Sequence, residues 1–168
     1  MPRLVVVLSM LLALGAMTTS ASAAPVEPFE LRGPTLRGPN FDLKSQQGRV
    51  VMVVYWSTGC AVCLDKLPEL RRNLAGWAHQ PFDLVMVSLD KSEGDWRRYE
   101  QLLAITQPKA AQRGVTLWGG SPGFSHSLHT RPTQLPLTLV FGPDGREHLR
   151  VAGRIPPEAW DTVAELLP

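Results

Sequence analysis

The run Val50-Val51-Met52-Val53-Val54-Tyr55-Trp56 constrains this chain more than any other segment. It is apolar throughout and rich in β-branched residues. It therefore reads as a strand buried on both faces, the kind found at the centre of a sheet covered on either side. A three-residue loop, Ser57-Thr58-Gly59, then delivers Cys60-Ala61-Val62-Cys63, which holds both cysteines of the chain. From Cys60 to about Trp77, Leu64, Leu67, Leu70 and Leu74 recur at helical spacing, with Asp65, Glu69, Arg71 and Arg72 on the polar side. The spacing predicts a helix that starts at the cysteines and is kinked at Pro68, because proline removes one backbone bond and clashes with the preceding turn.

Further along, Phe82 to Leu89 reads as a second buried strand, and Ser92 to about Ala111 as a helix opened by Ser92-x-x-Asp95, a capping-box pattern. Strand-helix-strand-helix order implies a parallel core. Val115 to Trp118 forms a short strand. The stretch 119–134 is rich in Gly, Ser and Pro, with a helical turn expected around Phe124 to His129. Leu137 to Phe141 is another strand, turned by Gly142-Pro143-Asp144-Gly145 into Glu147 to Val151. Pro156-Pro157-Glu158 opens a last helix to about Leu167. Before all of these, short Pro- and Gly-punctuated pieces between Pro28 and Leu43 suggest a small hairpin lying over a sheet edge.

Leu4 to Met17 is almost wholly apolar behind Arg3 and leads into Ala21-Ser22-Ala23. The apolar stretch is shorter than the roughly 20 residues that span a bilayer, and small-x-small fits a cleavage site. Residues 1–23 are thus expected to be a signal peptide cut after Ala23, with an uncleaved membrane tether as the alternative. Residues 24–168 then form one domain, large enough for a proper core. Losing Arg3 leaves 16 of the 17 basic side chains against 15 acidic ones, a balance that gives no footprint for nucleic acid. Export would place the cysteines where disulfides persist.

Two residues between cysteines let a disulfide close across one helical turn, and the exposed N–H groups of a helix start favour a thiolate at the first sulfur. The same spacing also serves as half of many zinc sites. A closed zinc site needs four ligands, and no further cysteine exists. A structural disulfide and a pair of inert thiols remain open on spacing alone.

The order of strand, Trp56-x-x-x-Cys60-x-x-Cys63, helix with Leu67-Pro68-Glu69-Leu70, strand, helix, and Leu135-Pro136 before Leu137 to Arg146 resembles the thioredoxin fold. More narrowly it resembles the exported TlpA-like thiol-disulfide oxidoreductases. The resemblance implies an α/β architecture, a central mixed β-sheet flanked by helices with an N-terminal β-hairpin extension. It implies that Cys60 attacks, that Cys63 resolves, and that the two form a redox disulfide. It further implies a cis Leu135-Pro136 bond, with Leu135, Pro136 and Trp56 forming the wall that meets the substrate. No cofactor is required. The partners it implies are cysteine-containing client proteins and a membrane or soluble thiol electron donor, with the protein itself a monomer in the periplasm or otherwise exported.

Three departures bear on the direction of electron flow. Gly59 stands where tryptophan is common, and Ala61-Val62 stands where the dipeptide usually ends in proline. Lys66 replaces a frequent glutamate, so it is expected to tune the pair by favouring thiolate, unless it points into solvent. Val54 occupies the strand position where thioredoxins proper bury an acid. A rival from another class is a Cu(I) chaperone using the same two thiolates. His126 and His129 share a helical face if that turn forms, which with the cysteine pair would make a copper or zinc site, but two surface histidines on a loop are the expected reading. A third is a subunit used only for assembly. Asp90, at the end of a strand, either faces the active-site edge or leads the next helix.

Overall fold

A computed structural model describes residues 28–107 and 109–168. The expected signal peptide, residues 1–23, lies outside them. Strands β1 (Leu31–Gly33) and β2 (Phe41–Asp42) come first, followed by a short 3₁₀ turn, β3 (Val50–Trp56) and helix α1 (Ala61–Gly76). After these come β4 (Phe82–Ser88), α2 (Glu93–Thr106), β5 (Val115–Trp118) and β6 (Ser125–His126). The chain closes with β7 (Leu137–Phe141), β8 (Glu147–Ala152) and α3 (Glu158–Leu166). Among the described residues, no helix is long and apolar enough to cross a membrane.

The main sheet has the order β5-β4-β3-β7-β8, with β3 at its centre and every residue of β3 buried. Strands β3, β4 and β5 run parallel, β7 runs antiparallel to β3, and β8 antiparallel to β7. Alternation along β3 divides its side chains between two cores. Val50, Met52, Val54 and Trp56 pack with Leu67, Leu70 and Leu74 of α1, Trp96 of α2 and Val163 of α3. Each of those leucines is at most 5% exposed, and burying one contributes roughly 1.5–3 kcal/mol.

Val51, Val53 and Tyr55 face the opposite way, into a core closed by Leu31, Phe41, Leu43 and Leu117 and by no described residue of α1, α2 or α3. All three helices therefore contribute to the first core alone. The crossovers β3-α1-β4 and β4-α2-β5 step in the same direction across the sheet, and a right-handed connection puts both helices on one face. The N-terminal hairpin covers the other. It reaches the edge as well, since Thr35 bridges Leu117 of β5 and the Leu36 N–H donates to the Thr116 carbonyl at 2.9 Å.

Two boundaries depart from the sequence reading. Helix α2 ends at Thr106, and Gln107 is extended at φ −113°, ψ 146°. The sequence places Pro108 next, and the residue before a proline is sterically barred from the helical region. The helical turn expected at Phe124 to His129 is also wrong, because Ser125 and His126 pair as a strand with Arg32 and Leu31. Gly123, at φ +85°, breaks any helix there, and the open edge of β1 supplies backbone partners that local spacing cannot disclose.

Helix α2 carries a buried acid. Trp96 Nε1 donates to Thr116 Oγ1 at 3.2 Å, and that hydroxyl donates to Glu100 Oε1 at 3.1 Å. Burial pushes the Glu100 carboxyl up, against the opposing pull of Thr116, Arg71 and Arg37. A carboxyl whose folded pKa lies above its unfolded value binds its proton more tightly when folded. Its contribution is present below the unfolded pKa, about 4.3, and is lost as pH rises through the folded one. Glu100→Gln is therefore expected to raise stability to urea at pH 7 and to lose that advantage below about pH 4. Equal midpoints for variant and wild type at pH 7 would contradict this account.

Candidate active site

The loop after β3 and the first turn of α1 build the site. Cys60 is the N-cap of α1, with extended backbone at φ −97°, ψ 100°, and its Sγ accepts the Cys63 N–H at 3.1 Å. The Cys60 N–H donates to the Ser57 carbonyl at 3.1 Å, and the Cys60 carbonyl accepts the Leu64 N–H at 3.0 Å. The two sulfurs are bonded to each other, with Cα atoms 5.2 Å apart. Helix α1 runs unbroken through Pro68, whose side is exposed, while Cys63, Leu67, Leu70 and Leu74 form its buried stripe.

Burial separates the roles open to the two cysteines. Cys63 is 1% exposed, whereas Cys60 is half-buried and meets solvent. An incoming sulfur has access to Cys60 and not to Cys63. The N–H directed at Cys60 Sγ, together with the positive end of the helix dipole, favours negative charge on that sulfur.

The Leu135-Pro136 peptide is cis. Pro136 is buried, its carbonyl accepts the Gly153 N–H at 2.8 Å, and β7 starts at the next residue. Leu137 pairs with Tyr55, so the Leu135-Pro136 turn before β7 and the loop from β3 to Cys60 lie at one end of the sheet.

Trp56 is a correction. It was expected to help meet the substrate, but its side chain is 0% exposed and packs on Tyr99 with ring centroids 4.9 Å apart. It follows the alternation of β3 into the helix-side core, and the family motif in which it stands gives no sign of which way the ring turns.

Lys66 does not point into solvent. Its ammonium lies 2.8 Å from Glu69 Oε2, one turn along, with 16% of the side chain exposed. Glu69 Oε1 also accepts Trp160 Nε1 at 2.6 Å. The Lys66 ammonium first, and the indole N–H after it, hold the Glu69 carboxyl below the usual carboxylate range. On the cysteine helix itself there is thus a compensated pair, not the lone positive charge that sequence suggested.

Strand pairing carries His126 to Tyr55, whose hydroxyl lies 3.1 Å from His126 Nδ1. Burial pushes the histidine pKa down and the Tyr55 pKa well up. His129 is exposed beyond the strand. No group of three or more His, Cys, Asp or Glu side chains positioned for a metal occurs among the described residues.

Asp90 faces the active-site edge. Its Oδ1 accepts both the backbone N–H of Thr58 at 2.9 Å and the Thr58 hydroxyl at 2.8 Å. Its Oδ2 accepts the Ser88 hydroxyl at 2.7 Å. Sequence reading gave Thr58 and Ser88 no role: Thr58 carries no pattern until topology joins it to Asp90, whereas Ser88 stands two residues before Asp90, a local spacing at which a serine hydroxyl commonly bonds the following backbone.

Comparison with known proteins agrees with this geometry. A family model described as the AhpC/TSA family matches residues 23–145. No curated protein is found to match. Among solved structures, a putative thiol:disulfide interchange protein DsbE from Chlorobium tepidum superposes with a TM-score of 0.63 at 20% identity, covering 81% of this chain and 91% of that one. StoA from Bacillus subtilis gives 0.60 at 16% identity, covering 83% and 98%. A secreted Mycobacterium tuberculosis disulfide oxidoreductase homologous to E. coli DsbE gives 0.60 at 18%, covering 80% and 95%. At these identities the likeness shows the fold, which is thioredoxin-like as the motifs implied.

Proposed function

We propose that this chain, which belongs to the AhpC/TSA family, is an exported protein-disulfide reductase in which Cys60 attacks and Cys63 resolves. The observation that carries the reading is the unequal burial of a bonded cysteine pair at a helix start, with Cys60 exposed to a partner and Cys63 at 1%. Descriptions of the structural neighbours as interchange proteins and a secreted disulfide oxidoreductase support it.

In the reduced protein the Cys60 thiolate attacks one sulfur of a client disulfide. A Cys60–client bond forms, the client S–S bond breaks, and the second client sulfur leaves as thiolate and takes a proton. Cys63 then loses its proton and attacks Cys60 Sγ. The mixed disulfide breaks, the client departs with two thiols, and Cys60-Cys63 closes. Two electrons have passed to the client, and a membrane or soluble thiol donor restores the protein by the reverse exchange. Leu135 and Pro136 form the wall along which an extended client chain lies.

The clients in this reading are cysteine-containing proteins outside the cytoplasm, of the cytochrome c or copper-protein maturation type, met by a monomer from which residues 1–23 have been removed. The family resemblance to reductants and the compensated charge of Lys66 favour reduction over oxidation. Equilibration with glutathione buffers tests this. A two-electron transition is expected at or somewhat above the potential of thioredoxin, about −270 mV, and well below the roughly −120 mV of DsbA. Because its charge is paired with Glu69, Lys66 tunes the pair only weakly. Lys66→Met should lower the potential by less than about 20 mV, since a partly exposed pair is worth at most about 1 kcal/mol. A shift several times larger would show that Lys66 acts on the cysteines as an unpaired charge.

A further inference from the structure

We propose that Asp90 is a positioning residue for disulfide exchange, one that holds the Ser57–Gly59 loop, and through it Cys60, in the orientation that attack requires. The inference rests on the proposed redox role of Cys60. Its basis is where the sheet stops supporting the loop. The Leu89 N–H donates to the Trp56 carbonyl at 2.7 Å, which carries the β3–β4 ladder to the end of β3. Beyond that point the bonds that tie Thr58 to the β4 side both end on Asp90 Oδ1. Gly59 cannot help by packing, because a side chain there would meet nothing within 4 Å.

Asp90 is itself fixed on three sides. Its Oδ2 accepts Ser88 Oγ, and the same hydroxyl accepts the Asp90 N–H at 3.2 Å. The Asp90 carbonyl accepts Trp118 Nε1 at 2.9 Å. Ser88 is 0% exposed and Asp90 9%, so the two Ser88–Asp90 bonds are shielded from water. The carboxylate has three neutral donors, two of them from a single loop residue two positions before the attacking sulfur. Such bonds to an ionised acceptor are short and directional, as a clamp needs. In-line attack on a disulfide demands orientation of the nucleophile, and displacement by about 1 Å can cost up to about a hundredfold in rate.

The test is single-turnover reduction of two probes by the reduced full chain. Insulin is a protein disulfide that must dock, and 5,5′-dithiobis(2-nitrobenzoate) is a small disulfide with little orientational demand. Asp90→Ala should slow insulin reduction about tenfold and change the small-probe rate by less than about twofold. Asp90→Asn keeps an acceptor for Thr58 without the charge, and should return the insulin rate to within about threefold of wild type. Thr58→Val, which removes only the hydroxyl, should slow insulin about threefold. A residue that merely stabilised the fold would lower both rates together or neither.

A folded Asp90→Ala protein that reduces insulin at the wild-type rate overturns the proposal. So does an Asp90→Asn protein as slow as Asp90→Ala, which would assign the effect to charge. Should Asp90→Ala fail to fold, Thr58→Val decides, and an unchanged insulin rate there overturns the proposal. A wild-type chain inert toward insulin and toward glutathione defeats the reductase reading itself.

Discussion

Cys60→Ser is expected to reduce insulin no faster than the buffer blank, while Cys63→Ser completes the first half of the reaction and stops. A serine hydroxyl is not ionised at neutral pH and is no substitute for a thiolate, so the loss at Cys60 is total. Removing Cys63 leaves Cys60, its N-cap contact with the residue 63 N–H and its exposure in place. The attack therefore proceeds and the mixed disulfide cannot be resolved from within. Non-reducing electrophoresis should show a covalent complex approaching one client per Cys63→Ser chain, and none for Cys60→Ser. A complex formed with Cys60→Ser through Cys63 would reverse the roles assigned from burial.

The second large effect concerns the core beneath the site. Trp56→Ala is expected to cost about 3–5 kcal/mol in urea denaturation, the range for emptying a large buried aromatic site. The ring has no exposed surface, lies on Tyr99, and belongs to the core cluster that also holds Cys63, so the cavity would open within that core. Trp56→Phe separates shape from polarity. The indole Nε1 is buried and has no hydrogen-bond partner among the described residues. Phenylalanine keeps most of the ring and removes that unpaired N–H, whose burial itself costs about 1–3 kcal/mol. The lost volume and the relieved N–H offset each other, and Trp56→Phe should fall within about 1 kcal/mol of wild type. A Phe variant as unstable as the Ala variant would mean that the N–H is satisfied in solution.

Legibility of the fold followed the physical origin of each signal. The run 50–56 read as a strand buried on both faces because it is apolar and β-branched throughout, and α1 followed from leucine spacing, because burial of one face imposes a period on the residues themselves. The cysteine turn and the cis Leu135-Pro136 bond were readable only through the family motifs, since neither spacing nor proline alone dictates them. What stayed hidden depended on long-range pairing. Ser125 and His126 become a strand because β1 offers an edge, which no window around them records. Lys66 was read as a lone charge although Glu69 stood three residues on, a helical pair that the sequence did display. Thr58 meets Asp90 only because β4 lies parallel beside β3, which brings the ends of two distant segments together, whereas Ser88 reaches Asp90 from two residues away.

The thiol–disulfide equilibrium of the wild-type chain in glutathione buffers, followed by counting alkylated cysteines, tests the reductase assignment most directly. One cooperative two-electron transition is expected, in which Cys60 and Cys63 pass together from two thiols to one disulfide, at about −270 to −200 mV. A pair that stays oxidised across the whole accessible range, and that still fails to reduce insulin after complete reduction with dithiothreitol, would be a structural bridge. A transition near about −120 mV would make the protein an oxidant, and either result contradicts a reductase.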